Sequence, residues 1–102
     1  MNDKPGDIRV HRWNGDKDLL IDTAIINATG SSHKGHLADH GDGGAATAYE
    51  DVKRRRYAKL IDYERYDFLP FILEVQGGIG DDATSFIKEL TIRKRQRLAG
   101  IP

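Results

Sequence analysis

The chain has no cysteine, which excludes a disulfide framework, a cysteine zinc knuckle and a thiol nucleophile together. No apolar stretch approaches the roughly 20 residues needed to cross a bilayer. The start, Met1-Asn2-Asp3-Lys4-Pro5, lacks the apolar core of a signal peptide, so an intracellular location with no membrane partner is expected. Net charge is absent too. The 16 Lys and Arg balance the 16 Asp and Glu, so the whole-molecule field points to no polyanionic partner. There are no internal repeats, and 102 residues with 38% hydrophobic and 31% charged content predict a single domain over 1–102 with one modest core.

The charges are distributed unevenly. Residues 1–46 carry five Lys and Arg against seven Asp and Glu, and residues 47–102 carry eleven against nine. The basic residues gather in two blocks, Lys53-Arg54-Arg55-Arg56 and Arg93-Lys94-Arg95-Gln96-Arg97. Each is either a solvated helix face or a patch able to neutralise phosphates locally.

Asp7 to Trp13 alternates, with Ile8 and Val10 on one face and Asp7, Arg9, His11 and Trp13 on the other, which predicts a strand. Asn14-Gly15-Asp16 is a hairpin turn signal. Leu19 to Asn27 follows as a second strand, apolar on both faces and therefore central. Residues 28–47, rich in Gly, Ser, His and Asp, read as a long flexible loop. From Ala48 to Tyr63 the period turns helical, with Tyr49, Val52, Lys53, Arg56, Tyr57 and Leu60 on one stripe. Phe68 to Val75 is a third strand, with Pro70 marking its start or an edge. After Gln76-Gly77-Gly78-Ile79-Gly80, Asp81 or Asp82 is expected to cap a last helix that packs Ala83, Phe86, Ile87, Leu90 and Leu98 inward. The fold class is thus α/β: a small mixed sheet made of a β-hairpin followed by α-β-α, with a parallel crossover between the second and third strands.

Two aspartates carry the chemistry. Asp22 sits inside the apolar run Leu19-Leu20-Ile21-Asp22-Thr23-Ala24-Ile25-Ile26, where an unpaired carboxylate is expensive to bury. Counted from a turn near Gly15, Asp7 lies about eight residues before it and Asp22 about seven after, so the two can converge on neighbouring strands. Repulsion between them is relieved by a cation, and magnesium or manganese suits hard oxygen ligands. The competing reading has Asp7 capping the strand entry and Asp22 paired with Arg9 or a helix arginine. Lys53, on the inward stripe between Tyr49 and Tyr57, is placed to reach the carboxylates. There it can orient or deprotonate a water or stabilise a developing charge. His33, His36 and His40 have spacing that suits zinc or nickel, but Gly35, Gly41, Gly43 and Gly44 favour a loop. His11 reads as a sheet-surface histidine. The Gly77-Gly78-Ile79-Gly80 turn lacks the Lys-Ser/Thr of a nucleotide loop, leaving its amides to meet a DNA backbone at most.

These residues resemble the PD-(D/E)XK, restriction endonuclease-like, nuclease superfamily. The nearest likeness is to the endonuclease domain of site-specific non-LTR retrotransposons and related transposon proteins. The likeness runs in order through Pro5-Gly6-Asp7, Ile21-Asp22-Thr23-Ala24, Lys53-Arg54-Arg55-Arg56-Tyr57 and Phe71-Ile72-Leu73-Glu74-Val75-Gln76-Gly77-Gly78-Ile79-Gly80. It implies a restriction-endonuclease-like core lacking the usual first helix. Asp7 and Asp22 would be ligands of Mg2+ or Mn2+, Lys53 a catalytic lysine moved onto the helix, and Glu74 and Gln76 supporting residues behind them. It also implies a DNA endonuclease module gripping the backbone through Arg54, Arg55, Arg56, Arg93, Lys94, Arg95 and Arg97. Such a module would act as a homodimer or as part of a larger polyprotein, nuclear in a eukaryotic retroelement. Ala24 stands where many members carry lysine. That departure supports an alternative, a catalytically incomplete nuclease-like domain that binds nucleic acid or protein.

Overall fold

A computed structural model of the chain describes residues 6–27 and 43–100. In chain order these are strand β1 (Ile8–Asn14), strand β2 (Lys17–Ile26), helix α1 (Gly44–Tyr57), strand β3 (Tyr66–Glu74) and helix α2 (Asp81–Leu98). The sheet order is β1-β2-β3. β1 and β2 form an antiparallel hairpin, and β2 pairs in parallel with β3 from Asp18↔Tyr66 to Ile26↔Glu74. The α/β fold class and the mixed sheet are therefore as expected. Among the described residues no helix is long and apolar enough to cross a membrane.

Strand periodicity assigns the two helices to opposite faces. Asp22, Pro70, Phe68 and Glu74 share one face by register, and α1 meets it through Lys53, Tyr57 and the amide of Ala46. The other face presents Leu19, Ile21 and Phe71, and α2 lays Phe86 on Phe71 with the ring centroids 6.2 Å apart. Leu19, Ile21, Ile72, Ala45, Ala46, Tyr57, Ile61 and Ala83 are the buried apolar core. Both helices pack chiefly on β3, so β1 is largely exposed along its length.

The first strand departs from simple alternation. Its register slips between Val10 and Asn14, and Arg12 takes a left-handed φ of 51°. This bulge turns Trp13 over to the α2 face, where its ring lies 5.2 Å from that of Phe86. Trp13 thus does not share a face with Asp7 and Arg9. Asp18 holds the distortion, accepting the Arg12 amide at 2.9 Å and Arg9 Nε at 2.7 Å.

Both helix starts also differ from expectation, for one reason. α1 begins at Gly44 rather than Ala48, because the Glu74 carboxylate accepts the amides of Gly43 (3.4 Å) and Ala46 (2.9 Å). It ends at Tyr57, so Leu60 lies in the following turn, 58% exposed. Neither Asp81 nor Asp82 caps α2. Its N-cap is Gly80, and its first amides go to Thr47 Oγ1 and to the Glu50 carboxylate. Only Ala83 of α2 is buried; Ile87, Leu90 and Leu98 are exposed, because the second half of the helix runs past a sheet of only three strands.

The Gly77-Gly78-Ile79-Gly80 segment exists to admit those glutamates. A Cβ on Gly78 would overlap the Glu74 carboxylate, and one on Gly80 would overlap that of Glu50. Gly78→Ala is accordingly expected to lower stability by about 1–3 kcal/mol, read as a reduced midpoint in urea. An unchanged midpoint would show that Glu74 can cap α1 from another rotamer.

Candidate active site

Among the described residues five charged side chains are buried: Asp18, Asp22, Glu50, Lys53 and Glu74. Charged groups are seldom so enclosed unless paired, so each requires an account. Asp18 holds the β1 bulge, while Glu74 and Glu50 supply the helix caps. These three serve the fold. Asp22 and Lys53 remain, and their pairing caps nothing and closes no turn.

Lys53 Nζ lies 2.8 Å from Asp22 Oδ2, with the side chains 11% and 7% exposed. The ammonium also sits 5.7 Å from the Tyr49 ring and 5.9 Å from the Tyr57 ring, one helical turn to either side. Burial works against its charge, but contact with Asp22, helped by Tyr49 and Tyr57, holds its pKa above the ordinary lysine range. In this arrangement Lys53 is held as a cation against Asp22. The contact with Asp22 is close without lying along a hydrogen-bonding direction, so Asp22 Oδ2 is charge-paired yet has no aligned hydrogen-bond partner.

Asp7 precedes β1 and is exposed. Its amide donates to Ile21 O at 2.6 Å, and its Oδ2 accepts the Thr23 amide and the Thr23 hydroxyl, both at 2.9 Å. Those two hydrogen bonds lower its pKa, and the charge of Lys53 lowers it further, so the Asp7 carboxylate lies within the field of the Lys53–Asp22 pair. Lys53 and Asp22 are thus in contact, while Asp7 stands at the strand edge with one oxygen committed to Thr23. Arg9 pairs with Asp18, not with Asp22.

The basic residues divide by partner. Arg54 is tied to Asp51 at 2.6 Å and to Asp82. Arg93 bonds Glu89 at 3.0 Å and the Trp13 carbonyl at 2.9 Å, and its guanidinium lies 3.6 Å from the centre of the Trp13 ring. Both of these arginines are built into the packing. Arg55, Arg56, Lys94, Arg95 and Arg97 are exposed. The amides of Asp81, Asp82 and Ala83 are taken by Thr47 and Glu50, and in the preceding turn those of Gly77 and Gly80 donate to the Glu74 and Ile72 carbonyls. Gln76 is exposed and bonds Asn27 at 2.7 Å, and Glu74 reaches the α1 start. His11 is exposed beside Asp18 at 3.2 Å. His33, His36 and His40 lie outside the described residues.

Carboxylate oxygens are the donor type that a hard divalent ion takes. Asp22 Oδ2 has no aligned hydrogen bond but is answered at 2.8 Å by Lys53, and Asp7 has one oxygen on Thr23. Among the described residues no group of three or more His, Asp or Glu is gathered for a metal. Magnesium is commonly held by only one or two carboxylates, with waters and substrate phosphate completing the shell. Sequence reading passed over Asp18 and Glu50. The Glu50 partner is 32 residues away and the Asp18 partners are reached across a bulge. Comparisons of the chain with protein-family models, curated proteins and solved structures find no match.

Proposed function

We propose that this chain is a metal-dependent DNA endonuclease module that hydrolyses phosphodiester bonds. The observation that carries the reading is the buried Lys53–Asp22 pair, in contact at 2.8 Å, which caps no helix and closes no turn. The Asp22 and Asp7 carboxylates would hold Mg2+ or Mn2+, which supplies Lewis-acid polarisation of the phosphodiester when bound. Lys53, kept cationic, faces the charge that builds on the phosphate during in-line attack. Tyr49 and Tyr57 flank its ammonium and fix its position. Arg55, Arg56 and the α2 cations Lys94, Arg95 and Arg97 provide backbone contacts that carry no sequence information.

Asp7→Asn tests the ligand assignment cleanly, because asparagine can still accept from Thr23 at an exposed position. Metal-dependent nicking of supercoiled plasmid is expected to fall roughly 100-fold or more, while the melting temperature moves by only a few degrees. Equal nicking by both proteins would remove Asp7 from the site. A second reading, the catalytically incomplete binding module, is favoured by one fact: Asp7 Oδ2 is already committed to Thr23. Salt-dependent DNA binding by the wild type without cleavage in magnesium or manganese would select it.

A further inference from the structure

A second group of polar side chains gathers at the hairpin end of the sheet. A pocket of about 230 Å3 opens there, lined by Arg9, Asp16, Asp18, Glu64, Arg65 and Tyr66. Asp18 is buried and fixes one wall, accepting Arg9 Nε at 2.7 Å and the Arg12 amide at 2.9 Å. That bond leaves the terminal amines of Arg9 for another partner, with the guanidinium 5.2 Å from the centre of the Tyr66 ring. The Arg65 guanidinium lies 5.7 Å from the same ring. Register puts this group on the sheet face of the candidate active site. Asp18 opposes Tyr66 and Asp22 opposes Pro70, with Leu20 and Phe68 between them, and Arg9 lies opposite Leu20. Four residues of strand separate the two places by about 13 Å.

Charge decides what the pocket can take. Arg9 is already answered by Asp18, and Arg65 shares the pocket with two further carboxylates, Asp16 and Glu64. A phosphate would therefore meet more repulsion than attraction, and an apolar group would leave every polar edge unmatched. A neutral planar group with donors and acceptors on its rim fits all of them. It finds a ring and guanidinium planes to stack on, arginine donors and carboxylate acceptors. The volume lies below the roughly 300–1,000 Å3 of most ligand pockets, which suits one ring system and not a whole nucleotide. We infer that this pocket receives an unstacked nucleobase from a strand whose backbone passes Lys53 and Asp22. The inference deepens the nuclease reading and rests on it for the path of that strand. It names the substrate as nucleic acid that is single-stranded beside the cut, since a base held within a duplex stack has no free face to offer.

The test titrates the full chain with guanosine and cytidine, which carry no phosphate, and separately with inorganic phosphate, following the tyrosine rings in 1H–13C spectra. The nucleosides are expected to move the Tyr66 signals while those of Tyr49, beside Lys53, stay in place; phosphate is expected to move neither. In parallel, fluorescence anisotropy with a labelled single-stranded oligodeoxynucleotide is expected to show roughly 5-fold or weaker binding in Tyr66→Leu. Arg65→Gln, in an exposed turn where folding is not at stake, is expected to weaken it roughly threefold. Tyr66 signals indifferent to both nucleosides overturn the pocket, whatever the protein does to DNA. A response to phosphate alone overturns it as well, in favour of an anion site. A response to N-acetyltryptophanamide but to neither nucleoside gives the pocket to a protein side chain and overturns the base assignment. A nucleoside response in a chain that cuts no nucleic acid upholds the pocket and defeats the nuclease reading instead. Cleavage of single strands left unaltered by Arg65→Gln and Tyr66→Leu denies that the bound base belongs to the cut strand.

Discussion

Lys53→Met is expected to destabilise the folded chain by about 3–5 kcal/mol, because it leaves Asp22 enclosed without its cation. A single domain of this size has roughly 5–15 kcal/mol in total, so the substitution removes a large part of its margin. The Asp22 side chain is 7% exposed and cannot turn to solvent without opening the sheet face beneath α1. Asp22→Ala is expected to cost a similar amount by stranding Lys53. The double variant Lys53→Met, Asp22→Leu should recover most of the loss, since replacing a buried pair by packed apolar groups is often neutral or stabilising. Urea denaturation of the four proteins measures all of this. If the double variant is as unstable as either single one, the loss comes from packing and not from an uncompensated charge. If it recovers fully while losing activity, the pair is kept for chemistry rather than for the fold. Loss of cleavage in Asp22→Ala alone is therefore weak support for a ligand role, and Asp7→Asn is the sharper variant.

The second large effect is a pH dependence from Glu50. This side chain is 1% exposed between α1 and the start of α2. Burial pushes its pKa from 4.5 to about 7, against the opposing pull of the Ala83 amide and of Arg54, with Asp81 and Asp51 adding to the rise. Between 4.5 and about 7 the folded chain holds a proton that the unfolded chain has released. The stabilisation is thus complete below 4.5 and is lost as pH rises through about 7. At about 1.4 kcal/mol per pH unit, the full loss comes to about 3.5 kcal/mol, of which about 2–3 kcal/mol falls between pH 5 and pH 8. Asp7 and Asp18 are displaced the other way, so their contribution is lost only in more acidic solution, below the ordinary aspartate value of 3.8. Unfolding free energies at pH 5 and pH 8 should differ by the stated amount in the wild type and by under about 1 kcal/mol in Glu50→Gln. The same slope in both proteins would assign the effect to other groups.

Much of the architecture was legible because it rests on local signals. Asn14-Gly15 announced the hairpin, the apolar run around Asp22 announced a central strand, and helical spacing placed Lys53 between two tyrosines on the inward stripe. What could not be read depends on contacts between distant residues. Glu74 fixes the start of α1 from 28 residues away, and Glu50 caps α2 from 32 residues away, so neither helix boundary has a local cause. The Arg12 bulge has no signal either, since arginine is not a residue that favours a left-handed φ. That one residue reversed the face expected for Trp13. Of the site itself, the meeting of Lys53 with Asp22 follows from spacing. The commitment of Asp7 to Thr23 does not, because it depends on the edge of β2 being left short of ladder partners where β1 begins.

Because both helices lean over the third strand, the fold has a sheltered flank and an unsheltered one. Among the described residues the first strand is the bare side, with most of its length open to solvent. Changes on the bare flank bear on what the molecule meets, and changes on the sheltered flank on whether it holds together.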